Sequence, residues 1–168
     1  MLLTLYVWRR QKDHVGHAAL QIGDVYASFW ANERAGKKDI SLKKSHPASF
    51  SRSYEMDCDR EGGRQAGVVT LHGMDVTTMR LAWENVRDQG LRFNLLRQNC
   101  STITAMLLEM GSRRPPSFVP VVKISDWVSS SFKAKAITMI LIRSTVKAWS
   151  PEQAWRYGRE LLVRPGIG

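Results

Sequence analysis

Gly16-His17-Ala18-Ala19-Leu20-Gln21-Ile22-Gly23-Asp24-Val25-Tyr26-Ala27-Ser28-Phe29-Trp30 is the stretch on which the reading of this chain turns. Two strand-like runs flank Gly23-Asp24, a two-residue connection with glycine first. That spacing predicts a tight hairpin with a type II′ turn. Ala18, Leu20 and Ile22 alternate onto one face, and His17, Ala19 and Gln21 onto the other. A histidine at the head of a strand, beside a small residue, has room to meet another element. The other histidines rank lower: His14 lies in the polar stretch Gln11-Lys12-Asp13, and His46 and His72 adjoin Pro47 and Gly73 in turn-like contexts.

Far downstream, Arg97-Gln98-Asn99-Cys100-Ser101-Thr102 opens a second informative segment. Ile103, Met106, Leu107 and Met110 recur at helical spacing, Gly111 is a natural stop, and Pro115-Pro116 lies beyond. Asn99 reads as the N-cap and Cys100 as the first helical residue. Unpaired backbone N–H groups there favour a thiolate and can hold a developing oxyanion. A free cysteine is more often an inert core thiol. The pairing with an upstream strand histidine turns the reading toward an activated nucleophile for acyl transfer.

These residues together resemble a family. The run Gly16-His17-Ala18-Ala19-Leu20, then Tyr26-Ala27-Ser28-Phe29-Trp30, then Asn99-Cys100-Ser101-Thr102 is similar to circularly permuted papain-like enzymes, in which the histidine strand precedes the cysteine helix. Within that clan the chain looks most like the Rho-inactivation domains of large bacterial toxins and related secreted effectors, over residues 2–130. The resemblance implies an α+β fold, a small antiparallel sheet packed against the cysteine helix. It also implies a Cys-His acyl-transfer site that attaches long fatty acyl chains to lysines of a host protein, such as a lipid-anchored small GTPase. Acyl-CoA would be the co-substrate, with no permanently bound cofactor and no metal. It implies a secreted effector acting in the target-cell cytoplasm at a membrane surface. A thiol protease or amidase of the same fold is the alternative activity.

The toxin branch places an acidic residue between histidine and cysteine to orient the imidazole. Residues 53–63 offer several carboxylates, and Asp57, which follows a semi-apolar stretch, is the expected one. Asp59 and Glu61 read as the polar lead into Gly62-Gly63. Other members of the clan take a polar residue from the strand after the histidine, which keeps Tyr26 and Ser28 in play. The expected site is therefore Cys100 as nucleophile, His17 as base and then acid, and Asp57 as orienting group. The Cys100 N–H and the Gln98 side chain are the expected oxyanion donors. Cys58, beside Asp57, reads as filler.

Composition sets the outer limits. The chain of 168 residues suits one domain, with 131–168 as a basic C-terminal extension ending in a helix. Two cysteines in unlike contexts do not suggest a disulfide framework. Met1-Leu2-Leu3-Thr4-Leu5-Tyr6-Val7-Trp8 is apolar, but Arg9-Arg10 follows it, the reverse of a signal peptide, so it reads as the first strand. The late apolar run, 136–142, is too short to span a bilayer.

The net charge is +10, and residues 112–168 hold ten Lys or Arg against three Asp or Glu, or +7. A surface of that sign attracts nucleic acid, anionic lipid or acidic protein. No nucleic-acid motif accompanies it, so an anionic membrane surface or the phosphates of a CoA ester is expected at Lys133, Lys135, Arg143 and Lys147. A basic module without catalysis, binding membrane or an acidic partner, is the rival from outside enzymology.

Other elements follow from local signals. Residues 66–73 read as a strand, and Asp75 caps a helix reaching Gln89, with Met74 and Met79 as its staple. The polar stretch 31–52 reads as a long loop. Ser150, Pro151 and Gln153 mark the cap, first turn and capping box of the last helix.

Overall fold

The structure is a computed structural model that describes residues 2–11, 14–32, 44–123 and 145–163. The described residues form an α+β arrangement. A six-stranded antiparallel sheet runs in the order β5-β1-β2-β3-β4-β6. Its strands are β1 (Leu3–Trp8), β2 (His17–Ile22), β3 (Val25–Ala31), β4 (His46–Phe50), β5 (Gly67–Leu71) and β6 (Arg92–Phe93). The helices are α1 (Tyr54–Arg60), α2 (Val76–Asp88), α3 (Cys100–Ser112) and α4 (Pro151–Val163). A separate two-stranded ribbon pairs β7 (Val121–Lys123) with β8 (Thr145–Lys147).

The hairpin signal in 16–30 holds. Ile22 pairs with Val25, which leaves Gly23-Asp24 as the loop. Gly23 has φ +63° and Asp24 is not in the positive-φ region, as a type II′ turn requires. Ala18, Leu20 and Ile22 join Leu3, Leu5, Val7, Phe29, Val69 and Leu71 in the main core, which α2, α3 and α4 cover. The opposite face is not solvated either. Trp8, Ala19 and Tyr26 pack there under Tyr54 and Cys58 of α1. His17 lies on that face at 0% exposure, so it is no surface histidine.

Four capping interactions start the helices. Ser53 accepts from the Met56 N–H, Asp75 from the Thr78 N–H, and Asn99 from the Thr102 N–H. Ser150 and Gln153 form the reciprocal pair expected of a capping box, with Ser150 N–H donating to Gln153 Oε1 at 2.9 Å. The last helix is built into the core rather than appended, since Ala154, Tyr157 and Leu161 are buried against the sheet and α3.

Three expectations need correction. The loop read into 31–52 contains β4, because alternating contacts with β3 outweigh the polar composition. Gly111 does not end α3. The helix runs on to Ser112 and stops at Arg113, which takes the left-handed conformation at φ +54°. Gly111 is instead a packing glycine, since a Cβ there would collide with the buried Met79 side chain. Met110, read as part of the apolar stripe of α3, is 41% exposed, and Ala105 and Leu108 are buried instead.

Candidate active site

The site forms where the sheet comes apart. The β2–β3 ladder runs only from Ile22–Val25 to Ala19–Ser28. Beyond it, β2 continues against β1 as far as Trp8–His17, while β3 turns to β4 through Phe29–Phe50, Trp30–Ser49 and Ala31–Ala48. The diverging strands leave the backbone of Ala18 open on one side. The start of α3 fills the gap: Thr104 Oγ1 donates to the Ala18 carbonyl at 3.2 Å, and the Ala18 N–H supports the Cys100 sulfur. Cys100 and Thr104 are one helical turn apart, so one face of α3 takes both groups of the peptide.

Gly16 delivers His17 to this gap. It has φ +79°, and a Cβ there would strike the Trp8 carbonyl, so only glycine allows the chain to turn into β2 at this point. The imidazole then spans the sheet. His17 Nε2 meets Asp57 Oδ2 of α1 at 3.1 Å and Ser28 Oγ at 2.9 Å. Nε2 being engaged there, Nδ1 is the nitrogen left for the thiol of Cys100. Nδ1 makes no hydrogen bond of standard geometry, yet Cys100 and His17 interact as charge and as donor and acceptor. Such catalytic contacts are often misaligned before substrate arrives.

Asp57 is 0% exposed, on a helix rather than in the exposed acidic loop that its neighbours suggest. Its carboxylate accepts from Tyr26 OH at 2.8 Å, Ser28 Oγ at 2.6 Å and Trp30 Nε1 at 2.7 Å, besides His17. Tyr26 and Ser28, the alternatives to Asp57 in the sequence, are thus its holders. Trp30 escaped the sequence reading. The signal was present, because Tyr26, Ser28 and Trp30 share the strand face that carries His17 through the antiparallel pairing.

The electrostatics follow from the geometry. Burial opposes charge on all three groups, and mutual attraction overrides it. Burial lowers the His17 pKa, but Cys100 and Asp57 raise it from 6.5 to about 9. Burial raises the Cys100 pKa, but His17, the Ala18 N–H and Ser101 bring it below its ordinary value. Burial raises the Asp57 pKa, but His17 and Ser28 hold it far below the carboxylate range. The shifts thus run toward the charged form of each group, imidazolium at His17, thiolate at Cys100 and carboxylate at Asp57. At the start of α3, Asn99 Oδ1 takes the Thr102 N–H and the Asn99 carbonyl takes the Ile103 N–H. The Cys100 and Ser101 N–H groups precede the first intrahelical bond and lie at the cavity wall.

That cavity, about 20 Å³, is lined by His17, Trp30, Asn99, Cys100 and Ser101 together with apolar Val15, Ala31, Phe93, Leu95, Trp149 and Pro151. Asn99 also ties its roof, donating from Nδ2 to the Trp149 carbonyl at 2.9 Å. Cys100 is 7% exposed, so a substrate reaches it only through this cavity or by displacing a wall.

Gln98, expected as an oxyanion donor, is not among the lining residues. Its backbone pairs with Asn94. Ser101, the residue after Cys100, does line the cavity. His14 sits beside Glu61 at 3.6 Å, which Arg64 also contacts, and not beside Cys100. His46 starts β4, and His72 is exposed after β5. Cys58 packs with Tyr6 and Tyr54 on the far face. Lys147 is exposed on β8, while Lys133, Lys135 and Arg143 lie outside the described residues. Among the described residues, no group of His, Cys, Asp or Glu could hold a metal ion, and no helix is long and apolar enough to cross a membrane. Compared with protein-family profiles, with curated proteins and with solved structures, the chain has no match.

Proposed function

We propose that this chain is a cysteine-dependent acyltransferase of permuted papain-like architecture, acting through an acyl-cysteine. One observation supports it above the others: the fully buried His17, with Nε2 on Asp57 and Cys100 at the start of α3 close enough to interact with it. A structural core histidine has no reason to meet a nucleophile and a carboxylate at once.

The Cys100 thiolate attacks the carbonyl carbon of a thioester, forming a C–S bond. The oxyanion so created is stabilised by the Cys100 and Ser101 N–H groups. As it collapses, the leaving thiolate takes the proton of the His17 imidazolium. His17, now neutral, removes a proton from the incoming amine of a lysine, whose nitrogen attacks the acyl-cysteine. Collapse of the second tetrahedral species restores the Cys100 thiolate and the imidazolium. Asp57 stays ionised throughout and orients the ring.

The apolar wall of Val15, Ala31, Phe93, Leu95 and Trp149 favours an apolar acyl group over a charged one. A long-chain acyl-CoA as donor and a lysine of a host protein as acceptor agree with the apolar wall and the basic charge of the chain, and a cavity of about 20 Å³ would admit such a chain only by displacing a wall. The exposed Lys123 and Lys147 of the β7–β8 ribbon agree with a place at an anionic membrane surface.

Incubation with palmitoyl-CoA, followed by intact mass, tests the proposal. The expected result is an acyl adduct on the wild type and none on Cys100→Ala, with transfer to added amine. Adduct formation followed by release to water alone would make the chain a thiol hydrolase. No adduct with any thioester, together with charge-dependent liposome binding, would leave the non-catalytic basic module as the better account.

A further inference from the structure

We propose that Trp30 is a positioning residue of this site, its N–H fixing the Asp57 carboxylate and its ring face holding the His17 imidazolium. The inference rests on the acyl-transfer reading and adds to it a fourth side chain.

Two contacts carry it. Trp30 Nε1 donates to Asp57 Oδ1 at 2.7 Å, whereas His17, Tyr26 and Ser28 all meet Oδ2. Trp30 therefore holds the one carboxylate oxygen the other three leave. With both oxygens engaged the carboxylate cannot rotate, and Oδ2 stays in line with Nε2. Separately, the indole stacks on the imidazole at a centroid distance of 3.9 Å and an angle of 18°. An aromatic face attracts a cation, and the attraction strengthens out of water. One side chain thus restrains the partners on both sides of the His17–Asp57 bond. It also lines the cavity beside Cys100, so it limits how far the ring can tilt toward or away from the thiol.

Other charged or titratable groups near the ring are accounted for. Cys100 comes from α3, Asp57 from α1 and Tyr26 from β3, and the Arg60 guanidinium of α1 lies 5.4 Å from the Trp30 ring. Tyr26 is held neutral by burial and by Asp57, so it does not titrate in the range where His17 does.

Two substitutions separate the two contacts. Trp30→Phe keeps the aromatic face and removes the donor. Trp30→Gln keeps a donor and removes the face. The readouts are the NMR titration of the His17 ring and the rate of Cys100 alkylation by iodoacetamide across pH. For Trp30→Gln, the His17 titration is expected to move down by about half to one and a half pH units, the size of a cation–π contact. For Trp30→Phe, it should not fall, while the acyl-transfer rate drops by roughly tenfold or more, as expected for a lost charge-assisted hydrogen bond. An unchanged His17 titration in Trp30→Gln, or full acyl-transfer activity in Trp30→Phe, would overturn the proposal. If Trp30→Gln does not fold, the activity of Trp30→Phe decides alone. A wild type that forms no acyl adduct on Cys100 with palmitoyl-CoA would refute the acyl-transfer reading itself, which keeps the two failures distinct.

Discussion

Replacing Asp57 with asparagine removes one charge and keeps the shape of the site. In the wild type, the His17 pKa stands at about 9 instead of 6.5 despite complete burial. One pKa unit is about 1.4 kcal/mol, so the imidazolium is favoured by roughly 3 kcal/mol over its form in water. Burial lowers this pKa, and the charges of Cys100 and Asp57, with the Asp57 hydrogen bond, raise it. The substituted amide would contribute a dipole in place of a charge. It also carries a mismatch, since His17, Tyr26, Ser28 and Trp30 all donate to the carboxylate. If the amide oxygen takes the Oδ2 place, the NH₂ faces Trp30 Nε1–H, donor against donor. An unpaired buried donor costs about 1–3 kcal/mol.

Asp57→Asn is therefore expected to fold with about that loss of stability in urea. Its acyl-transfer rate should fall by roughly two to four orders of magnitude, the upper figure being that of a triad left with the wrong tautomer. At pH 7 the thiolate share falls with the imidazolium, so iodoacetamide should alkylate Cys100 more slowly and with a midpoint nearer an ordinary thiol. Urea denaturation, a palmitoyl-CoA assay and alkylation across pH measure the three effects. Wild-type alkylation and turnover in a folded Asp57→Asn would refute the claim that the carboxylate supports the histidine.

Three further outcomes are expected. Iodoacetamide at neutral pH should label Cys100 before Cys58 in the native protein, despite the deeper burial of Cys100, because His17 lowers the Cys100 pKa; peptide mapping at short times reads the order, and the reverse order counts against the nucleophile. Gly16→Ala should lower stability by more than the roughly 1–2 kcal/mol of a left-handed residue, since the added Cβ also meets the Trp8 carbonyl, and thermal melting checks this. Stability itself should depend on pH on the acid side. The lowered Asp57 pKa gives stability that is complete above about pH 4 and lost as pH falls below it, whereas the raised His17 pKa and the lowered Cys100 pKa act in opposite senses toward alkaline pH. The urea midpoint should be lower at about pH 3 than at about pH 6, and Asp57→Asn should reduce the difference.

Much of the site was legible because its parts have local signatures. Asn99-Cys100 reads as cap and first turn since an N-cap is a matter of a few adjacent residues, and Ser150-Pro151-Glu152-Gln153 reads in the same way. Gly23-Asp24 fixes the β2–β3 register through the turn alone. What could not be read depends on distant contacts. β4 is polar and short, and only its pairing with β3 and β6 makes it a strand. The burial of Asp57 depends on α1 lying over the Tyr26, Ser28 and Trp30 face, which no spacing in residues 53–63 reveals. Gly111 misled because a glycine near a helix end reads as a stop, while the reason for this one is the Met79 side chain of α2.

The break between β2 and β3 links the fold to the chemistry. A continuous sheet would separate α1 on one face from α3 on the other, and no imidazole could touch both. By ending the ladder at Ala19–Ser28, the chain opens a gap and places His17 in it. In the charged forms that the pKa shifts favour, the gap holds two anions around one cation, a net negative charge in a buried site, which on its own is costly. The surrounding dipoles offset it. Tyr26, Ser28 and Trp30 aim at Asp57, while the Ala18 N–H and the Ser101 hydroxyl support Cys100. In the proposed acyl transfer, the charge that the thiolate gives up to a carbonyl group would move to an oxygen beside the first N–H groups of α3. The donors needed there are already in place, held by the Asn99 cap, so the site is organised for negative charge before and after the bond forms.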